Sequence, residues 1–134
     1  MQTEREIVTY KVLIVDDSKL ARMGVLKSLK ALHPDWQSVE AVNAEDALAR
    51  VKESQPDFVL LDYNMPGKDG ITLAAELRAF DSSIIVAVIS ANQQIEVINR
   101  AQAAGAVFLA KPLTEKALAD FLDTAVQQPS RTRK

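Results

Sequence analysis

Apolar residues along this chain fall into two alternating patterns. Short unbroken runs have the length and β-branched content of strands: Lys11-Val12-Leu13-Ile14-Val15, Phe58-Val59-Leu60-Leu61, Ile84-Ile85-Val86-Ala87-Val88-Ile89, and Ala106 to Ala110. They do not alternate with polar residues, so they predict strands covered on both faces, as in parallel sheets. A weaker, β-permissive run extends from Trp36 to Val42. Between the runs, apolar positions recur at helical spacing. The stripes are Val25, Leu29 and Leu32; Ala44, Ala47, Leu48 and Val51; Ile71, Leu73, Ala74, Leu77 and Phe80; Ile95, Ile98 and Ala101; and Ala117, Leu118, Phe121, Leu122 and Ala125. Each predicts a helix with that face turned inward.

The residues between these patterns support the same division. Ser18, Asn43 and Thr114 stand where N-caps are needed, Asp46 follows Asn43 in the manner of a capping box, and Glu115 is well placed at the start of the last helix. His33-Pro34, Pro56 and Gly105 end helices, and Asp81-Ser82-Ser83 makes a turn. Five strands alternating with five helices specify an α/β domain of three layers. The expected fold is flavodoxin-like, a five-stranded parallel sheet in the order 2-1-3-4-5 with five helices, with a ligand crevice between strands 1 and 3. Residues 1–10 read as a polar lead-in, 11–127 as the domain, and 128–134 as a flexible basic tail.

Composition narrows the function. The 134 residues are 48% hydrophobic, enough for one core and too few for two domains. Sixteen Lys and Arg against eighteen Asp and Glu leave a net charge of −2, so no whole-chain basic field draws the protein to nucleic acid or membrane. The absence of cysteine excludes disulfides and thiolate metal sites. No apolar leader follows Met1 and no run approaches membrane-spanning length, so a cytoplasmic protein is expected.

The candidate chemistry lies at the strand ends, where Asp16-Asp17, Asp62, Ser90 and Lys111 are gathered on one rim by the expected topology. Taken singly, each has an ordinary explanation: a turn aspartate, an N-cap serine, a solvated lysine. Together they describe a site. Two carboxylates about 4 Å apart repel by roughly 4 kcal/mol at an effective dielectric of about 20, and a divalent cation removes that cost. An all-oxygen set suits Mg²⁺, with Mn²⁺ as a substitute. The matching reaction is phosphoryl transfer onto the Asp62 carboxylate. Asp17 and Asp16 would hold the metal, Asp16 through water, with the Asn64 backbone carbonyl adding an oxygen. Lys111 would pair with a phosphoryl oxygen and Ser90 would donate its hydroxyl to another. His33 reads as a loop residue, Trp36 as packing at the core edge, and Arg131 to Lys134 as a solvated tail.

Leu13-Ile14-Val15-Asp16-Asp17-Ser18, the stretch Leu60-Leu61-Asp62-Tyr63-Asn64-Met65-Pro66-Gly67-Lys68-Asp69-Gly70, Ser90-Ala91 and Lys111-Pro112 together resemble the receiver domain of two-component response regulators, over residues 11–127. The resemblance implies a phosphoacceptor at Asp62, charged by a histidine kinase or phosphotransfer protein. It implies phosphoryl contacts from Ser90, Ala91 and Lys111, a cis peptide before Pro112, and a switch in which Ser90 moves and Phe108 rotates inward. The face made by helix 4, strand 5 and helix 5 would then bind a downstream protein, and phosphorylation could promote a homodimer. Direct contact with nucleic acid or membrane is not expected. Asn64 and Asn92 offer no carboxylate as a general base, which implies modest self-dephosphorylation. A stand-alone regulator is the favoured form. The alternatives are a receiver module of a larger output protein, an aspartate-nucleophile Mg²⁺-dependent phosphohydrolase, which needs a second Asp where Asn64 stands, and a nucleotide or flavin module, which needs a glycine-rich loop absent after Val15.

Overall fold

The doubly apolar runs form the centre of the sheet. In the computed structural model, which describes residues 8–128, β1 (Lys11–Val15), β3 (Phe58–Asp62) and β4 (Ile85–Ser90) are flanked by β2 (Gln37–Ala41) and β5 (Ala106–Ala110) in the order β2-β1-β3-β4-β5, every pairing parallel. Residues 1–7 and 129–134, which include most of the expected lead-in and tail, lie outside the described residues. Five helices connect the strands: α1 (Lys19–Leu32), α2 (Ala44–Ser54), α3 (Gly70–Phe80), α4 (Ile95–Ala103) and α5 (Glu115–Ala125).

Strand pleating divides the core in two. Leu13, Val15, Val59, Leu61, Val86 and Val88 face a cluster completed by α2, α3 and α4. Val12, Ile14, Phe58, Leu60, Ala87 and Ile89 face the other, completed by Leu29 of α1 and by Leu118, Phe121, Leu122 and Ala125 of α5. A helix thus covers each side of the central strands, which explains why their sequences do not alternate. No helix among the described residues is long and apolar enough to cross a membrane.

The N-caps lie where the sequence puts them: Ser18, Asn43 and Thr114 accept from the N–H groups of Ala21, Asp46 and Ala117. The return bond of the expected capping box is shifted by one residue, because the Asp46 carboxylate accepts from Val42 rather than from Asn43. That contact lies just beyond β2, which stops at Ala41 and leaves Val42 exposed. Gly105 ends α4 at φ +80°, a conformation favourable only to glycine.

Two helical faces differ from expectation. Ile95 is 67% exposed, and α4 instead packs through Val97 and Ala101, one turn apart. Phe80 is 55% exposed at the last turn of α3, with Lys52 Nζ 6.0 Å from its ring centroid. Ile95 lies nearly opposite Val97 around α4, so the face that packs through Val97 and Ala101 turns Ile95 to solvent.

Candidate functional site

Strand register decides which rim residues meet. Leu61 pairs with Val15, so Asp16 and Asp62 follow side by side on β1 and β3. On the other flank Asp62 pairs with Ile89 and Ser90 with Ala110, which brings Lys111 to the same rim. Carboxylate oxygens of Asp16, Asp17 and Asp62 all lie within 4.8 Å of one another. At an effective dielectric of about 20, each pair repels by about 3 kcal/mol or more.

Asp62 is buried, and Lys111 Nζ stands 2.6 Å from its Oδ1. The approach is close but off the hydrogen-bond direction, so Oδ1 has an ion-pair partner and no aligned donor among the described residues. Such a buried lone pair is costly. Three hard oxygen donors with one underused lone pair fit a divalent cation of the Mg²⁺ class.

The β1–α1 turn holds its carboxylates differently. Asp16 is half-buried and its Oδ1 accepts from the Ser18 N–H at 2.9 Å; Asp17 is exposed. Burial raises the Asp16 pKa above its ordinary value; the Ser18 N–H and Lys111 oppose the rise, while Asp62 and Asp17 add to it. Arg22, one turn into α1, donates to the Asp16 carbonyl at 2.7 Å and to Glu40 Oε1 on β2 at 2.8 Å.

Ser90 is buried, and its hydroxyl accepts from the Asn92 N–H at 2.9 Å. It therefore begins a turn and does not cap a helix, since the N-cap of α4 is Gln94, whose N–H in turn donates to Asn92 Oδ1. Ala91 lines the same cleft as Asp16, Asp62 and Lys111. Asn64 is exposed in the loop after β3. Phe108 pairs with Val88 in mid-strand and packs, partly buried, on the α2–α3–α4 core rather than at the rim. The Lys111–Pro112 peptide is cis.

The loop after Asp62 is pinned to the strand. Tyr63 N–H donates to the Ile89 carbonyl and Gly70 N–H to the Tyr63 carbonyl, each at 2.9 Å. A Cβ on Gly70 would lie 2.6 Å from the Asp62 carbonyl oxygen and 2.8 Å from Tyr63 Cα, so only glycine lets α3 start this close. Asp69 caps α3 through Thr72 and meets Arg100 of α4 at 3.5 Å. Tyr63, and then Asp69, raise the pKa of Arg100.

Two features escaped the sequence reading. One is Arg22, whose only sequence signal is a basic residue five positions after the acidic pair. The other is a cleft of about 550 Å³ leading to Asp62 between α1 and the segment after β5, lined by Ala21, Gly24, Val25, Ser28, Pro112 and Leu113. Its signal is the small-residue spacing Ala21, Gly24, Ser28 on one helical face.

Residues 12–123 match the family model described as the response regulator receiver domain. The chain is 35% identical over 106 residues to the chemotaxis protein CheY of Bacillus subtilis, covering 78% of this chain and 88% of that one. It is 34% identical to the positive alginate biosynthesis regulatory protein of Pseudomonas aeruginosa, covering 91% of this chain but 49% of the relative, so it spans about half of that longer protein. Among solved structures, the signal receiver domain of the response regulator NarL from Mycobacterium tuberculosis superposes with a TM-score of 0.80 at 33% identity, covering 91% of this chain and all of the other.

Proposed function

The chain belongs to the response regulator receiver domain family, and we propose that it is a phosphorylation-operated switch with Asp62 as the acceptor. A histidine kinase or phosphotransfer protein presents a phosphoryl group to the rim. The Asp62 carboxylate oxygen forms the new P–O bond as the donor's bond to phosphorus breaks and the donor leaves with that electron pair. Mg²⁺, or Mn²⁺ in its place, when held by the Asp16, Asp17 and Asp62 carboxylates and the Asn64 carbonyl, offsets the negative charge of three carboxylates and a phosphoryl group.

The chain's own groups do the rest. Lys111 moves its charge from Asp62 to a phosphoryl oxygen once Asp62 carries the acyl phosphate. The Ser90 hydroxyl, whose oxygen is engaged by Asn92, has its proton free to donate to a second oxygen, beside Ala91. Movement of Ser90 toward the phosphoryl group opens room behind it for Phe108 to turn inward. That reshapes the face of α4, β5 and α5 for a downstream protein partner or a second copy, within a cytoplasmic domain spanning residues 11–127. The chain is a switch and not a turnover enzyme, since the position two residues after the acceptor is Asn64 and not a carboxylate.

The supporting observation is the convergence of three carboxylates within 4.8 Å, one of them buried and paired with Lys111. The test is incubation with Mg²⁺ and acetyl phosphate followed by peptide mapping of the added mass. One phosphoryl group on the peptide containing Asp62, absent in Asp62→Asn, is expected. Modification of another peptide, or an Asp62→Asn protein that is modified equally, overturns the reading.

A further inference from the structure

The residues that would hold a cation do not hold themselves in place. Asp16 and Asp17 sit on the turn between β1 and α1, and Asp17 is exposed. What ties that turn to the sheet is a short set of contacts. Asp16 N–H donates to the Ala41 carbonyl at 3.1 Å, and Ser18 N–H closes the turn on Asp16 Oδ1. The third tie is Arg22, whose side chain is 11% exposed and whose guanidinium bridges the Asp16 carbonyl and Glu40. A partly buried guanidinium is held firmly only where its donors are met by a matched acceptor set, and here one acceptor is the backbone of a candidate metal ligand.

We propose that Arg22, braced by Glu40, is a positioning residue for the divalent-cation site, fixing the Asp16-Asp17 turn so that both carboxylates face Asp62. The inference rests on the reading of Asp62 as a metal-assisted phosphoacceptor. Glu40 lies on β2, paired with Ile14 of β1, so the brace crosses from helix to edge strand over the end of β1. Three elements thereby set the position of one carbonyl, and the carboxylates on either side of the next peptide follow it. Groups that orient metal ligands in this indirect way govern affinity by about tenfold to a hundredfold.

The sign of the effect separates positioning from charge. Arg22 is a cation near a cation site, so if it acted only through its charge, its removal would tighten Mg²⁺ binding. If it positions the turn, its removal loosens binding.

The experiment is Mg²⁺ titration of the full chain without phosphodonor, followed by amide chemical shifts well below the melting temperature. Arg22→Gln is expected to weaken Mg²⁺ binding by about tenfold to a hundredfold. Arg22→Lys keeps the charge but cannot span both acceptors, and should fall between. Glu40→Gln, which keeps an acceptor for Arg22 but replaces the charged brace with a weaker neutral one, should weaken binding severalfold. Arg50→Gln, which breaks a surface pairing with Asp46 and Glu53, should leave affinity unchanged. Unchanged or tighter binding in Arg22→Gln overturns the proposal; if that variant does not fold, unchanged binding in both Arg22→Lys and Glu40→Gln overturns it. A wild-type chain with no saturable Mg²⁺ site overturns the reading of the acceptor site itself.

Discussion

Two aspartates stand at opposite ends of the same strand, equally hidden and differently used. Asp57 immediately precedes β3 and is 7% exposed; Asp62 ends it and is 5% exposed. The carboxylate of Asp57 accepts from the Lys11 N–H at 2.9 Å, its own N–H donates to the Lys11 carbonyl, and its carbonyl accepts from Ile85. It knits β1, β3 and β4 together beside an aromatic group in which Tyr10 stacks on Phe58 and meets Trp36 edge-on, with His33 stacked on Trp36 at 3.7 Å. Asp62 has an ion pair and an oxygen without an aligned donor. Burial alone does not mark a working carboxylate. An unmet lone pair beside like charges does, because the fold bears its cost without structural return.

Truncating each in turn tests this division most severely. Asp62→Ala should abolish phosphoryl acceptance while leaving stability unchanged or raised, since it relieves repulsion. Asp57→Ala should do the reverse. Leaving the Lys11 N–H unpaired costs about 1–3 kcal/mol, read as a lower urea midpoint, with acceptance of phosphate intact. An Asp57→Ala protein as stable as wild type would dissolve the contrast.

Gly70→Ala acts on the acceptor end through the backbone. The added methyl would collide with the main chain of Asp62 and Tyr63, neither of which is a flexible side-chain tip. The expected loss is about 1–3 kcal/mol from overpacking, together with slower phosphorylation from acetyl phosphate. A variant that loses stability but phosphorylates at the wild-type rate would show the acceptor's position to be less finely set than the contact implies.

The two ends also differ in how far the sequence revealed them. The strands, their order, the caps and the rim residues could be read from residue patterns, because a run apolar on both faces leaves few architectures and strand ends then converge by topology. What could not be read was orientation within a helix and contacts made by long side chains. Ile95, Ile98 and Ala101 make one possible stripe and Val97 with Ala101 another; spacing alone does not say that α4 packs through Val97 and leaves Ile95 in solvent. His33 ends α1 and opens the loop as its place before Pro34 implies, but its stacking on Trp36 is set by how the α1–β2 connection folds back. Arg22 looked like any surface arginine until the position of Glu40 on the neighbouring strand was known.

Metal linkage should follow the same division. Free Mg²⁺ at tenfold its dissociation constant adds about 1.4 kcal/mol to folding stability, and a chelator removes it. Wild type and Asp57→Ala should both gain this amount, measured as a shift in the urea midpoint, and Asp62→Asn should gain less. An equal gain in Asp62→Asn would place the ion elsewhere than between these three carboxylates.

The smallest effect expected is the pH dependence of the metal-free fold, and it asks whether the acceptor end carries electrostatic strain before any ion binds. Burial holds the Asp16 carboxyl above its ordinary value of 3.8; the Ser18 N–H and Lys111 oppose the rise, Asp62 and Asp17 add to it, and burial decides the direction. The folded chain therefore keeps that proton to a higher pH than the unfolded chain does. Between the two values the native state binds more protons, so stability declines as pH rises through the window and the penalty is complete above the folded value. Asp69 behaves oppositely. Its burial raises the pKa, but the bonds from Thr72 and the nearness of Arg100 outweigh this and hold it below 3.8, so its contribution is full above 3.8 and is lost as pH falls through the folded value. Urea midpoints in chelator, taken from neutral pH downward, should show Asp16→Asn gaining on wild type at the upper end of the range and losing that advantage as acid protonates Asp16. Asp69→Asn should be worse than wild type at neutral pH and converge with it at the lowest values. A constant offset for Asp16→Asn across the range would mean that burial does not disfavour the Asp16 charge in the metal-free crevice, and the contrast with Asp57 would then rest on hydrogen bonding alone.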